Sequence, residues 1–130
     1  MSLMTHTRGF LVAVAMSIIA FGIQAAPQTA AGSRTIDINE SRFTFEPNEI
    51  TLTKNQEVTL LLHSKDVTHG LVVEGLGVRA SEVKKGGTTS ITFIPGKVGT
   101  FEGKCSHFCG SGHGSMRMSI HVVEATGPAQ

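Results

Sequence analysis

Residues 105–116 read CSHFCGSGHGSM, so two cysteines, two histidines and a methionine lie in one short, glycine-rich stretch. Within it, Cys109, His113 and Met116 form C-x3-H-x2-M. Thiolate and thioether sulfur are soft donors and imidazole is intermediate, a set that suits copper. A mononuclear blue-copper site takes two imidazoles and one thiolate, with a distant methionine. The loop supplies one imidazole to such a site, so the second must come from elsewhere. His69, in KDVTHGLVV, is the candidate, because it is expected to open a strand just after a turn. The residues between His69 and Cys105 are enough for two strands to run away and back.

Cys105 is surplus to a one-copper site. Two thiolates four residues apart can bridge two copper ions. His69 and His113 then give one imidazole to each, and Met116 is a weak ligand to one of them. The other ion can take a main-chain carbonyl from the residues between the cysteines, where His107 sits. Other readings stay open at this point. One is a mononuclear site that leaves Cys105 free. Zinc on His69, Cys105, Cys109 and His113 is another. The third is a Cys105–Cys109 disulfide, the default for a cysteine pair in an oxidising compartment, although so small a loop would constrain the unfolded chain little. Asp66, three residues before His69, is placed to orient that imidazole through a hydrogen bond or to act as a plain turn residue. Gly110, Gly112 and Gly114 give the loop backbone freedom. Met118 reads as core, and His63 and His121 as surface histidines.

The elements that must position this loop read as short strands: 34–38, 49–53, 56–63, 69–74, 88–93, 99–104 and 117–124. Val58, Leu60 and Leu62 share one face of their segment. Thr89, Ile91 and Phe93 share another, and so do Met118, Ile120 and Val122. Lys54-Asn55 reads as a hairpin-like turn, Lys84–Gly87 as a turn, and Pro95-Gly96 as a break. No segment beyond the N-terminal region has a helical period. The fold class is therefore all-β, a Greek-key β-sandwich or barrel.

Residues 1–25 have the layout of a secretory signal: Arg8, an apolar run from Phe10 to Ile23, then Ala25 and Ala26. The run is shorter than the ~20 residues a membrane-spanning helix needs. An uncleaved N-terminal anchor is the alternative. Residues 26–33 read as a linker, 34–124 as the domain and 125–130 as a flexible tail. The expected location is the periplasm or an equivalent exported compartment, without strong membrane association once the signal is removed. With Arg8 set aside, Lys plus Arg balance Asp plus Glu. No basic stripe indicates nucleic acid, and no acidic patch awaits a basic partner. There is no Trp or Tyr, so Phe and aliphatic side chains must fill the core.

The motif resembles the dinuclear purple-copper (CuA) cupredoxin domain of subunit II of haem-copper oxidases. It is also similar to the C-terminal domain of nitrous oxide reductase. The family pattern C-x3-C-G-x2-H-x2-M, preceded by Asp-x-x-His, is met by Cys105, Cys109-Gly110, His113 and Met116, with Asp66 and His69. FTFEPNEITL, EGLGV and PGKVGTFEGKC extend the likeness over Arg34–Glu124. The resemblance implies a cupredoxin fold holding two coppers. Cys105 and Cys109 would bridge them, His69 and His113 would be terminal ligands, and Met116 a weak one. The family often has Glu at the middle loop position, acting through its carbonyl; here it is His107. The implied function is exported electron transfer, without catalysis by the domain alone. The implied partner is a cytochrome or oxidase subunit. A copper carrier serving a copper-accepting protein is the alternative. No nucleophile with an adjacent base, and no carboxylate pair in the loop, points to a hydrolytic site.

Overall fold

A computed structural model describes residues 32–126. The expected signal at 1–25, most of the linker and residues 127–130 lie outside the described residues. Nine strands follow one another: β1 (Arg34–Ser41), β2 (Thr44–Glu46), β3 (Glu49–Thr53), β4 (Val58–Ser64), β5 (His69–Val73), β6 (Val78–Val83), β7 (Thr88–Phe93), β8 (Gly99–Lys104) and β9 (Arg117–Val123). The described residues hold no α-helix, only single 3-10 turns at Glu74–Leu76 and His113–Ser115. The all-β expectation holds.

Two sheets face each other, ordered β2-β1-β4-β7 and β3-β9-β8-β5-β6. Each contains one parallel pair. Ile36 and Ile38 of β1 lie beside Leu60 and Leu62 of β4, and Ile50 and Leu52 of β3 lie beside Ile120 and Val122 of β9. The remaining ladders are antiparallel. Alternation drives this arrangement. In β4 every second residue, from Val58 to Ser64, is buried, and in β9 Met118, Ile120 and Val122 are. Burying one such aliphatic side chain is worth about 1.5–3 kcal/mol. A one-residue slip would turn all of them outward, so the register is strongly held.

Two strands were not expected from the sequence. β2 is three residues long, and β6 (VRASEV) carries two charges in six positions. The turn at Lys54-Asn55 also differs from expectation. Asn55 does take a left-handed conformation, at φ 62°. However, β3 and β4 do not pair; they lie in different sheets, so the turn is a crossover and not a hairpin. It is held instead by neighbours, with Lys54 N donating to Val123 O and Asn55 N to Pro95 O, both at 2.8 Å.

The strand directions bring four connections to one end of the sandwich: 42–43, 65–68, 84–87 and 105–116. The first two and the last build the site.

Candidate metal centre

His69 is the first residue of β5 and is wholly buried. Its Nε2 lies 2.6 Å from Asp66 Oδ1. Asp66 also accepts from Val67 N at 2.7 Å and from Arg42 N at 2.8 Å. Burial pulls this carboxyl upward, but the bonds from Arg42, His69 and Val67 outweigh it and hold the pKa down at about 2. Asp66 is therefore an anion at neutral pH and accepts the proton on Nε2. That leaves the lone pair of His69 on Nδ1, which faces Cys105 Sγ at 3.9 Å. The Ser64 hydroxyl donates to Val67 O and fixes the turn from inside.

Cys105 follows β8. Its amide donates to Met116 O at 3.2 Å and closes the base of the loop. Its sulfur is 3.1 Å from the carbonyl oxygen of His107 and 3.9 Å from Cys109 Sγ. Cys109 Sγ is in turn 3.7 Å from His113 Nδ1 and 3.8 Å from Met116 Sδ. Cys105, Cys109 and Met116 are all buried. The cysteines are free thiols, their sulfurs far beyond the ~2.05 Å of a disulfide. Burial and the neighbouring Cys105 sulfur push the Cys109 thiol up, so a metal must displace its proton.

The imidazole of His107 turns away from the sulfurs. It is half-exposed, with Nδ1 3.8 Å from Glu82 Oε1, so this residue presents its carbonyl to the thiols. His113 is part-exposed, and its ring lies 5.7 Å from that of Phe108, tilted by 50°. Ligand atoms of His69, Cys105 and Cys109 all lie within 4.8 Å of one another. Donors sharing an ion at bond lengths of ~2.0–2.3 Å must come about this close. The donor set and its spacing fit soft or borderline metal ions such as copper.

With the geometry in place, comparison with known proteins becomes informative. Residues 30–123 match the family described as cytochrome c oxidase subunit II, periplasmic domain. The chain belongs to that family. It is 31% identical over 101 residues to a cytochrome c oxidase subunit 2 of Thermus thermophilus, covering 78% of this chain and 74% of that one. It is 36% identical over 95 residues to the nitrous-oxide reductase of Cupriavidus necator, covering 70% of this chain but 14% of the enzyme. Among solved structures, the periplasmic domain of cytochrome oxidase subunit II of Bradyrhizobium japonicum superposes with a TM-score of 0.63 at 23% identity. That match covers 70% of this chain and 84% of the other, and shows a shared cupredoxin-like fold.

The structure brings together His69, Cys105, Cys109, His113, Met116 and the His107 carbonyl, with Asp66 behind His69. His63 and His121 lie apart on strand faces. His63 bonds to Thr88 and Asp37, and His121 to Thr100 and Glu49. Two supporting residues escaped the sequence reading. Arg42 donates its main-chain N–H to Asp66 and its Nε to Cys109 O at 3.0 Å, tying the histidine turn to the cysteine loop. The ring of Phe43 lies under the loop, where a Cβ on Gly112 would sit 2.3 Å from it. No local pattern flags either residue, because their partners are distant in sequence. A third surprise is Glu40, wholly buried in β1, with neither carboxylate oxygen hydrogen-bonded among the described residues. Burial pushes its pKa up from 4.5 to about 7.

Proposed function

We propose that this chain is an exported electron-transfer protein with a dinuclear CuA-type copper site. His69, Cys105, Cys109, His113, Met116 and the carbonyl of His107 would hold the two ions. The observation that carries this reading is the pairing of donors. Two buried sulfurs lie 3.9 Å apart, and each has its own imidazole, at 3.9 Å for Cys105 and 3.7 Å for Cys109. A one-copper or zinc site would not need this near-symmetrical arrangement.

Two coppers held by these residues would supply one-electron exchange with little rearrangement of the site. The chain supplies the rest. Asp66 fixes the His69 tautomer and keeps Nδ1 facing inward. The Cys105–Met116 backbone bond and the Arg42 bond to Cys109 O brace the loop. Burial of Cys105, Cys109 and Met116 keeps their sulfurs from bulk water. Removal of residues 1–25 as a secretory signal, and exchange of electrons with a cytochrome or an oxidase subunit, belong to this proposal.

A second reading, delivery of copper to another protein, draws on the open groove beside Cys109 and His107. One experiment separates the two. The purified reduced chain is loaded with copper, and metal content and the EPR spectrum are recorded together. Two coppers per chain, with one unpaired electron coupled to both nuclei, is the expected result. One copper with a mononuclear signal, or loosely held Cu(I) with none, would overturn the dinuclear reading.

A further inference from the structure

The chain is balanced in charge as a whole, but its charges are not evenly spread. The connections at the metal end carry Arg42, Lys65, Lys84 and Lys85, all exposed. The turn 84–87 is bound to the metal end through Gly86 N to Ser64 O and Ser64 N to Gly87 O, at 2.9 and 3.1 Å. Lys65 is held beside it by its own amide, which donates to Glu40 O at 2.9 Å. Lys104 and Arg117, at the feet of the cysteine loop, share Glu102. Few acids answer these cations. Asp66 is taken up by His69 and two backbone amides, and Glu82 leans on His107.

The same end has an apolar contact point directly over the site. Phe108 is 74% exposed, although it lies between the two cysteines in sequence and its ring is tilted against His113. Beside it an open groove of about 340 Å³ is lined by Arg42, Val67, Thr68, His107, Phe108 and Cys109. A large exposed ring beside buried sulfurs, at an end whose exposed cations Arg42, Lys65, Lys84 and Lys85 outnumber its acids Asp66 and Glu82, has the anatomy of a docking surface: apolar centre and polar rim. The sign of the rim then selects the partner.

We infer that the metal end docks a redox protein whose own electron-exchange edge is rimmed by Asp and Glu. Phe108 would fill the centre of the contact, and Arg42, Lys65, Lys84 and Lys85 would face the carboxylates. The inference deepens the electron-transfer reading and rests on it. A basic partner is disfavoured, because the exposed cations at this end outnumber its acids. Anionic lipid would satisfy the lysines equally well. It would leave unexplained why they share an end of the sandwich with Phe108 and the groove beside Cys109, and it is therefore an outcome of the test.

The test uses the full exported chain, copper-loaded and checked by EPR. Its electron exchange with one acidic and one basic c-type cytochrome is followed by stopped flow, from about 10 mM to about 300 mM salt, which shortens the screening length several-fold. We expect the acidic cytochrome to react faster at low salt and to lose tenfold or more of its rate across that range. The basic one should stay slow or gain. The triple variant Lys65→Glu/Lys84→Glu/Lys85→Glu should invert this order while the EPR spectrum is unchanged, and Lys97→Glu should leave it as it is. A rate that favours the basic cytochrome, or that ignores salt, would overturn the inference. So would lysine-dependent binding to phosphatidylglycerol vesicles without any preference for the acidic cytochrome. Binding of the metal-free chain to the two cytochromes by calorimetry decides the docking separately. If the two-copper EPR signal is missing but salt-sensitive binding to the acidic cytochrome persists, the electron-transfer reading fails and the docking surface stands. If the signal is present and that binding is absent, the docking inference fails alone.

Discussion

The metal centre has two unlike halves. The Cys105–His69 half is rooted in strands. His69 begins β5, Cys105 directly follows β8, both are buried, and a charge-assisted hydrogen bond to Asp66 holds the imidazole. The Cys109–His113 half is built from loop. His113 is part-exposed, with Cys109 and the tilted ring of Phe108 beside it. The difference shows how one site can be both rigid and accessible. The inner half is preorganised by the sheets and by Asp66. The outer half is shaped by Arg42 and Phe43 from below and opens to solvent above.

The strongest test of this division removes the inner sulfur. Cys105→Ser should take copper content from two ions to one and replace the shared signal by a mononuclear one, with Cys109, His113 and Met116 keeping their positions. Metal analysis with EPR reads this directly, and retention of two ions would break the comparison.

The next effect concerns the base of the inner half. Glu40 lies opposite Ser64 in the β1–β4 ladder, and Ser64 holds the Asp66 turn. Its folded pKa of about 7 exceeds the ordinary 4.5. Between these values the native chain binds a proton that the unfolded chain has released, so stability falls as pH rises. Below about pH 4.5 the group is neutral in both states and adds no pH dependence. Above about pH 7 its penalty is complete, about 3 kcal/mol. Urea unfolding of the metal-free chain should show this decline, and Glu40→Gln should flatten it by raising stability at the alkaline end. An unchanged slope in Glu40→Gln would mean that another group carries the pH dependence.

Asp66→Asn sharpens the contrast between the imidazoles. Losing the carboxylate behind a metal-bound histidine commonly weakens binding about 10–100-fold. Chelator competition should show that loss for one ion only, and Phe108→Ala should stay close to wild type. Equal loss of both ions would mean that the halves are not separable.

The smallest effect compares two glycines of the outer half. A methyl group at Gly112 meets the Phe43 ring at 2.3 Å, whereas Gly114 has nothing within 4 Å. Three atoms of that ring, Cγ among them, lie within 2.7 Å of the added methyl, so Gly112→Ala should cost about 1–3 kcal/mol. Gly114→Ala should be near neutral in thermal unfolding.

Most strands were legible because half-buried segments alternate, as Val58, Leu60 and Leu62 do. β6 was not, because its buried residues Val78, Ala80 and Val83 break the period of two, and its ladder with β5 shifts register near His69. The Lys54-Asn55 turn was legible as a conformation but not as a crossover, since alternation says which face is buried and not which sheet a strand joins. The donor residues were legible from soft chemistry concentrated in one loop. Arg42 and Phe43 were not, because an arginine beside a phenylalanine announces nothing until the chain brings it to Cys109.

The sequence by itself determined the candidate donors, the balanced net charge and the all-β pattern, since these follow from residue types and short spacings. Only the tertiary structure decided that His69 meets Cys105 through Nδ1. It also turned the His107 imidazole toward Glu82, tied Arg42 to both halves and brought Lys65, Lys84 and Lys85 to the metal end. Each of these depends on pairing between strands far apart in the chain, where burial of apolar faces sets the register and the polar groups are carried to wherever that register places them.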